Sequence, residues 1–503
     1  MPLTVRMPCM ARAFGPARHS AWAGPLLLSC LLACTPGLPG PSGVRPTAVR
    51  PDTLWVPPPP ENPVPEGVGR QALPGDLAER AQRLTLADMV DVALRNNPAT
   101  RLSWAQAREA AAQYGVSRSA WFPTIDVSGT FTRLKTVASQ GRSAVKQNTY
   151  GPSVTASWLL LDVGGRSGQI DASAEALYAA NWQHNATIQN VVIHVDSAYF
   201  GYVAQRALLE AQRASLAEAD SNLAAAEERR RVGVATIADV LQARTAQAQA
   251  RLAMQQTGGS LQVARGLLAQ ALGYSPTLPY EVDSTAGTGP TGAVVMDVDS
   301  LIVTAMASRP DLAAVRAQAR EAEADIRVAR AGRLPSLNLA ATGGRTYTTT
   351  LPNGGNNYTL SLVLSLPVFS GFRAEYTEEA ARFRADEAAA TLDLARQAVA
   401  LQVFQSYYTL QTAAQQVRTA LDLAASASQS ADVARGQYKA GVGSVLDLLT
   451  AQSALASARS GLVQARLAWY LALAQLSHDA GLLDVRGETG LQVIPDSTTV
   501  ESH

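Results

Sequence analysis

The sequence has 503 residues, 47% of them hydrophobic and 17% charged, with 42 Lys and Arg against 41 Asp and Glu for a formal net charge of +1. Soluble proteins average about 25% charged residues, so this surface is charge-poor, and its even balance lacks the clustered basic excess of a nucleic-acid binder. A mean hydropathy of zero argues against a multi-span helical membrane protein, in which each span needs about 20 apolar residues.

All three cysteines, Cys9, Cys30 and Cys34, fall in the first 34 residues. Arg6, Arg12 and Arg18 precede a short Leu-rich run from Pro25 to Ala33. That run is too short to span a bilayer, so residues 1–33 read as a secretory signal peptide and not as an anchor helix. It closes in Leu31-Leu32-Ala33-Cys34, which resembles a bacterial lipoprotein cleavage box and makes Cys34 the candidate for a covalent lipid. Ordinary cleavage beside an incidental cysteine is the other reading. Losing residues 1–33 removes three Arg and no acid, leaving 39 bases against 41 acids, a net charge of −2. With Cys34 lipidated, no thiol remains for a disulfide, a CxxC redox centre or a thiolate metal site. On the same resemblance, Thr35 in place of Asp after the cysteine fits retention at the outer membrane.

Residues 34–83 form a lipidated, proline-rich tether in which Pro57 to Pro60 favour extended polyproline geometry. After it the chain repeats. Asn97-Pro98 recurs as Arg309-Pro310 and Phe122-Pro123 as Leu334-Pro335, both 212 residues on. Gly164 and Arg166 recur as Gly371 and Arg373 at 207, and Gly233 to Asp239 recurs as Gly441 to Asp447 at 208. The first repeat covers 84–276, a linker 277–296, the second repeat 297–482 and a tail 483–503.

Each repeat predicts the same elements. A helix comes first, 86–120 broken at Pro98, matched by 298–331 broken at Pro310. Two strands follow, 124–137 and 150–162, matched by 336–348 and 357–369. Ile125, Val127 and Phe131 alternate with Asp126, Ser128 and Thr130, and Leu360, Leu362, Leu364 and Leu366 with Thr359, Ser361 and Ser365. Period-two alternation over about ten residues marks a membrane β-barrel strand, apolar outward and polar inward; a half-buried soluble sheet alternates too. Trp121, Phe122, Tyr150, Trp158, Tyr347 and Tyr358 lie at or near strand ends, where interfacial aromatics belong. A long helix comes next, 167–231 and 374–439, then a tip at 232–236 or 440–444 and a returning helix. Some 65 helical residues make a rod of roughly 100 Å, the width of a periplasm. In the second rod Val399, Val403 and Leu410 mark one apolar seam and Leu401, Phe404 and Tyr408 another. Two seams imply a neighbour on each side, as in a ring of helices.

Four strands cannot close a barrel, since the smallest barrels have about eight, and open edges cannot face lipid. Two copies give a filled eight-stranded barrel, whereas three give about twelve strands and room for water. Taken together, these features resemble the outer-membrane efflux (TolC-like) family, lipoprotein type, over essentially the whole mature length. The resemblance implies an α+β membrane protein: a homotrimer with a 12-stranded transmembrane β-barrel, four strands per chain, continued into a long α-helical coiled-coil periplasmic barrel. It implies as partners a periplasmic adaptor (membrane fusion) protein, an inner-membrane pump and outer-membrane lipid, with no nucleic acid.

The tips carry the most specific motifs. Gly233 and Gly441 suit helix C-termini that need left-handed backbone, and Thr236 and Ser444 each precede an acid by three, the capping-box spacing. By the resemblance, Val232, Gly233, Val234, Ala440, Gly441 and Val442 are adaptor-docking tips. Asp239 and Asp447 match acidic positions at the family's periplasmic constriction, where three copies of each would ring a pore and favour cations; capping alone is the plainer role for both. Tyr438 matches a tyrosine of the family's closed-state network. Gly443 and Thr450 stand where some members carry an arginine and a second aspartate, so a gate of different composition is implied. The GxGxxG at Gly287 to Gly292 has no strand before it, and Pro290 blocks the helix a dinucleotide site requires, so it reads as linker. His184 and His194 have no carboxylate at ligand spacing, and no Ser/His/Asp group has a nucleophile motif beside it. The sequence therefore points to a passive exit duct with no enzyme chemistry, cofactor or metal beyond the lipid at Cys34. The alternative is a non-conducting periplasmic coiled-coil lipoprotein scaffold.

Overall fold

The computed structural model describes residues 84–135, 146–277, 282, 292–294, 296–349, 351–483 and 493–495. The signal segment 1–33, Cys34 with the tether 34–83, Gly287 to Pro290 and most of the tail 483–503 lie outside the described residues. The first repeat runs α1 (Leu86–Asn96), α2 (Pro98–Ser119), β1 (Thr124–Lys135), β2 (Lys146–Leu161), α3 (Gly165–Arg231) and α4 (Ile237–Ala271). After β3 (Gly292–Val294), the second runs α5 (Val298–Ser308), α6 (Pro310–Ala331), β4 (Ser336–Thr348), β5 (Leu351–Ser365), α7 (Arg373–Ala440) and α8 (Val445–Asp479), before β6 (Val493–Pro495).

Local chemistry sets these boundaries. Asn97 and Arg309 are extended because each precedes a proline, and Pro98 and Pro310 then open α2 and α6 where a missing N–H costs nothing. β5 starts six residues earlier than its alternation predicts and stops before Pro367, which has no N–H for the ladder. Tyr358 consequently lies mid-strand and not at a strand end. β3 pairs antiparallel with β6; three residues carry no periodicity, which is why linker and tail showed no strand in sequence.

The four long strands form one antiparallel sheet in the order β1-β2-β4-β5. Its register lines up apolar residues on one face and mainly polar ones on the other, with Leu159 and Val363 joining Asn338 on the polar face at the helical end. Ile125 lies opposite Ala156, Ala156 opposite Ala341 and Ala341 opposite Leu360; one position along, Asp126, Thr155, Thr342 and Thr359 align. Val127, Leu360, Leu362 and Leu364 are all exposed. Aromatic rings close the apolar band at both ends: Tyr150 stacks on Tyr347 with centroids 5.3 Å apart, and Trp158 Nε1 donates to the Trp121 carbonyl at 3.0 Å. On the polar face the Ser128 and Ser153 hydroxyls meet at 3.0 Å. Among the described residues no helix is long and apolar enough to cross a membrane.

A bulge in β2 between Leu159 and Leu161 frees carbonyls at the corner between sheet and helices. Arg166, the second residue of α3, takes them: its guanidinium donates to the Leu159 carbonyl at 2.6 Å and the Leu160 carbonyl at 3.1 Å, pairs with Asp162 at 3.3 Å and lies 4.2 Å from the Trp121 ring centroid. Below this corner α2 packs along α3, α3 along α6 and α6 along α7, the same order as the strands.

Two apolar cores sit halfway down the rods. Met89, Val90 and Val92 of α1 close on Val192, Val195 and Tyr199 of α3, on Leu268 of α4 and on Leu272 just after it. Leu301 of α5 and Leu312 of α6 close on Val403 and Leu410 of α7 and on Trp469 and Leu476 of α8. The other stripe of α7, with Leu401, Phe404 and Tyr408, has nothing over it among the described residues and is exposed.

Candidate functional site

The far ends of the rods form two helical hairpins, α3/α4 and α7/α8, each closed by a tight tip. At the first tip the Gly233 N–H donates to the Arg230 carbonyl at 3.0 Å and the Val234 N–H to the Arg229 carbonyl at 2.9 Å. This paired closure requires left-handed backbone, and Gly233 supplies it at φ +84. The second tip repeats it. Gly441, at φ +78, donates to the Tyr438 carbonyl at 3.2 Å and Val442 to the Gln437 carbonyl at 3.0 Å. Val232, Val234 and Val442 remain exposed, as do Gly233, Ala440 and Gly441.

Asp239 and Asp447 both sit in capping boxes. The Thr236 hydroxyl accepts from the Asp239 amide at 3.2 Å while the carboxylate accepts the Thr236 N–H at 2.8 Å; Ser444 and Asp447 do the same at 3.1 and 3.3 Å. The Ser444 hydroxyl and N–H hold the Asp447 carboxyl below its ordinary value of 3.8, against a small opposing effect of burial. A depressed acid stabilises the fold above its ordinary value and loses that contribution as pH falls through the lowered one. The α8 cap is therefore expected to hold at neutral pH and to fray only in strong acid, read as faster amide exchange in the first turn of α8. Replacing Ser444 with alanine should give the same fast exchange at pH 7, at a cost of about 1 kcal/mol.

The tips meet through Arg229 and Tyr438, in the last turns of α3 and α7. Arg229 Nη1 donates to the Tyr438 carbonyl at 2.6 Å, the same oxygen that closes the second tip, and its guanidinium lies 4.5 Å from the Tyr438 ring centroid. The ring is buried with Val445 and Leu448, and its hydroxyl has no hydrogen-bond partner among the described residues. Above this contact the two hairpins meet through polar side chains: Asn222 with Gln452, Glu218 with Arg459 at 3.4 Å, and Gln212 with Ser460 at 3.4 Å. Within each hairpin small apolar side chains pack together, Ala226 with Val240 and Ala243, and Ala427 and Ala431 with Leu455 and Ala458, and in the first hairpin Arg244 also pairs with Glu227 at 2.9 Å and Gln247 with Asp220 at 2.7 Å. Thr450, one turn beyond Asp447 on α8, lines a groove of about 1190 Å³ over α3 between α4 and α8, with Leu241, Thr245, Leu446 and Ser453.

Tyr438 therefore comes together with Arg229, while Asp239 and Asp447 are placed as caps and Thr450 as a groove residue. Sequence reasoning missed Arg229 because it belongs to the run Arg229-Arg230-Arg231 at a helix C-terminus, where cations are ordinary. His184 is occupied by the Ser103 hydroxyl at 2.8 Å. Among the described residues no group of His, Cys, Asp and Glu could hold a metal ion.

Comparison with known proteins agrees with this architecture. The family described as outer membrane efflux protein matches residues 89–274 and again 301–481, one match for each repeat. Protein CyaE of Bordetella pertussis is 30% identical over 421 residues, covering 83% of this chain and 87% of that protein. The solvent efflux pump outer membrane protein SrpC of Pseudomonas putida is 27% identical over 396 residues, 76% of this chain and 82% of that protein. The crystal structure of a membrane protein from Pseudomonas aeruginosa superposes with a TM-score of 0.71 at 24% identity, over 79% of this chain and 93% of that one.

Proposed function

The chain belongs to the outer membrane efflux protein family, and from that membership we propose that it works as a passive trimeric duct of a tripartite export system, with no catalysis of its own. The sheet carries this reading. It has one apolar face, one Ser- and Thr-rich face and two strands, β1 and β5, with a free edge. Unpaired edge groups in lipid cost several kcal/mol each, so copies must join edge to edge, and three copies give about twelve strands with a wet interior. The uncovered stripe of α7 supports the same assembly, since a next copy supplies the neighbour it lacks.

Exposed valines at the tips and the groove beside Thr450 suit a periplasmic adaptor that delivers cargo from an inner-membrane pump. Asp239 and Asp447 serve as caps and also line the narrow end, and Arg229 with Tyr438 holds that end shut. A lipid on Cys34 tethers the chain to the outer membrane, supported by the Leu-Leu-Ala-Cys box.

Purified protein inserted into planar bilayers is expected to conduct as a trimer. A preparation that inserts without conducting would leave the scaffold reading in its place. In conducting channels, Asp239→Asn with Asp447→Asn keeps an acceptor for each cap but removes the charge, so cation preference should fall, read as a shift in reversal potential under a salt gradient. Unchanged selectivity would leave both residues as caps only.

A further inference from the structure

The two edges of the sheet end in exposed aromatic side chains, and topology sets them side by side once copies close a ring. All three pairings within the sheet are antiparallel, with β1 and β5 at its edges. β1 leaves the helical end and β5 returns to it, so β5 of one copy runs antiparallel to β1 of the next. The end of β5 then lies next to the start of β1. Trp121 and Phe122 precede β1 and are 49% and 69% exposed; Phe369 and Phe372 follow β5 and are 77% and 61% exposed.

The matching corner inside the chain is built differently. Counting 207 residues back, Phe369 stands where the first repeat has Asp162, and Phe372 where it has Gly165. Asp162 is tied to Arg166, which closes that covered corner. The corner that faces a next copy has two phenylalanines instead, meeting edge to face with centroids 5.6 Å apart. Phe372 is held at φ +61, left-handed backbone that a bulky residue adopts only under constraint. The covered corner has the same left-handed pair, Val163 at φ +46 and Gly164 at φ +100, so the two turns share a backbone and differ in the side chains they present.

We propose that Phe369 and Phe372 of one copy pack onto Trp121 and Phe122 of the next, forming an aromatic clasp where the barrel joins the helical tunnel. The proposal rests on the ring-closed trimer above. A second copy, and not lipid, is the occupant because edge pairing of β5 with β1 brings these residues within reach. The helical layer continues the seam: α2 and α7 are the outer helices, and Trp104 on one and Phe383 on the other are exposed.

The test uses the full-length protein in detergent with Phe122→Cys and Phe369→Cys together, each single variant as control, and a short bismaleimide crosslinker. Covalent species of two and three copies in the double variant alone are the expected result. A trimer by light scattering without that ladder would overturn the clasp and leave the duct intact, whereas a monomer would overturn both. Labelling of Phe369→Cys by a photoreactive phospholipid with no ladder would assign the patch to the bilayer and also overturn the clasp. Phe372→Gly separates the clasp from a local role, since glycine relieves the backbone but removes the ring. The trimer should then dissociate at a lower temperature; an unchanged or higher dissociation temperature contradicts the clasp.

Discussion

Replacing Arg229 with alanine should open the narrow end of the channel, raising single-channel conductance severalfold, while Tyr438→Phe should leave it unchanged. Arg229 makes two contacts across the hairpins, a hydrogen bond to the Tyr438 carbonyl and a cation–π contact with its ring. A hydrogen bond from a charged donor contributes about 1.5–3 kcal/mol, and a partly exposed cation–π contact about 0.5–1 kcal/mol. Losing about 2 kcal/mol per copy shifts a closed–open balance roughly thirtyfold, and three copies act on one aperture. The Tyr438 hydroxyl has no partner to lose among the described residues, and phenylalanine keeps both ring and carbonyl. Tyr438→Ala, which removes the ring but keeps the carbonyl that accepts from Arg229, should open the channel less than Arg229→Ala does. If Arg229→Ala conducts like the parent, the polar seam above it and not this contact holds the hairpins together.

Asp196→Asn should remove most of the pH dependence of stability between about pH 4 and 7, and at pH 8 it should stabilise the fold by up to about 4 kcal/mol. Asp196 lies on the face of α3 that carries Val192, Val195 and Tyr199 into the first core, and its Oδ1 has no hydrogen-bond partner among the described residues. Burial pushes its pKa up to about 7. Between the unfolded value near 3.9 and that folded value, the native state keeps a proton the unfolded chain releases, so stability falls as pH rises through the window and levels off above it. Asparagine keeps the shape and never ionises. Unfolding midpoints followed by circular dichroism from pH 4 to 8 should coincide for the two proteins at pH 4 and diverge with rising pH. Parallel curves would mean that assembly supplies Asp196 with a partner.

Much of the fold was legible because its signals are short-range. Alternation of Leu360 to Leu366 with polar residues follows from the two-residue period of a strand. Pro98 and Pro310 break helices through their own rings, and Gly233 and Gly441 supply the φ that a tip demands. Thr236 and Ser444 reveal their caps because both partners lie within one turn. Arg229 was not legible: its partner is 209 residues away, and nothing separates it locally from Arg230 and Arg231. Asp196 was equally silent, since one carboxylate in an Ala-rich rod reads as a solvated face until the cores are assembled.

The sequence by itself determined the elements, their twofold repetition, the two faces of the sheet and the need for more than one copy, because each rests on backbone sterics or side-chain periodicity over a few residues. Only the tertiary structure decided which helices flank which, that polar side chains join the two hairpins near their tips, and that Arg166 closes one corner while exposed phenylalanines mark its counterpart. The physical reason is phase. A helix drifts about 20° per heptad against a fixed seam, so along the 67 residues of α3 the face turned to a given neighbour changes from one end to the other. Contact between distant rods is therefore a property of their packed superhelix and not of any local stretch of chain.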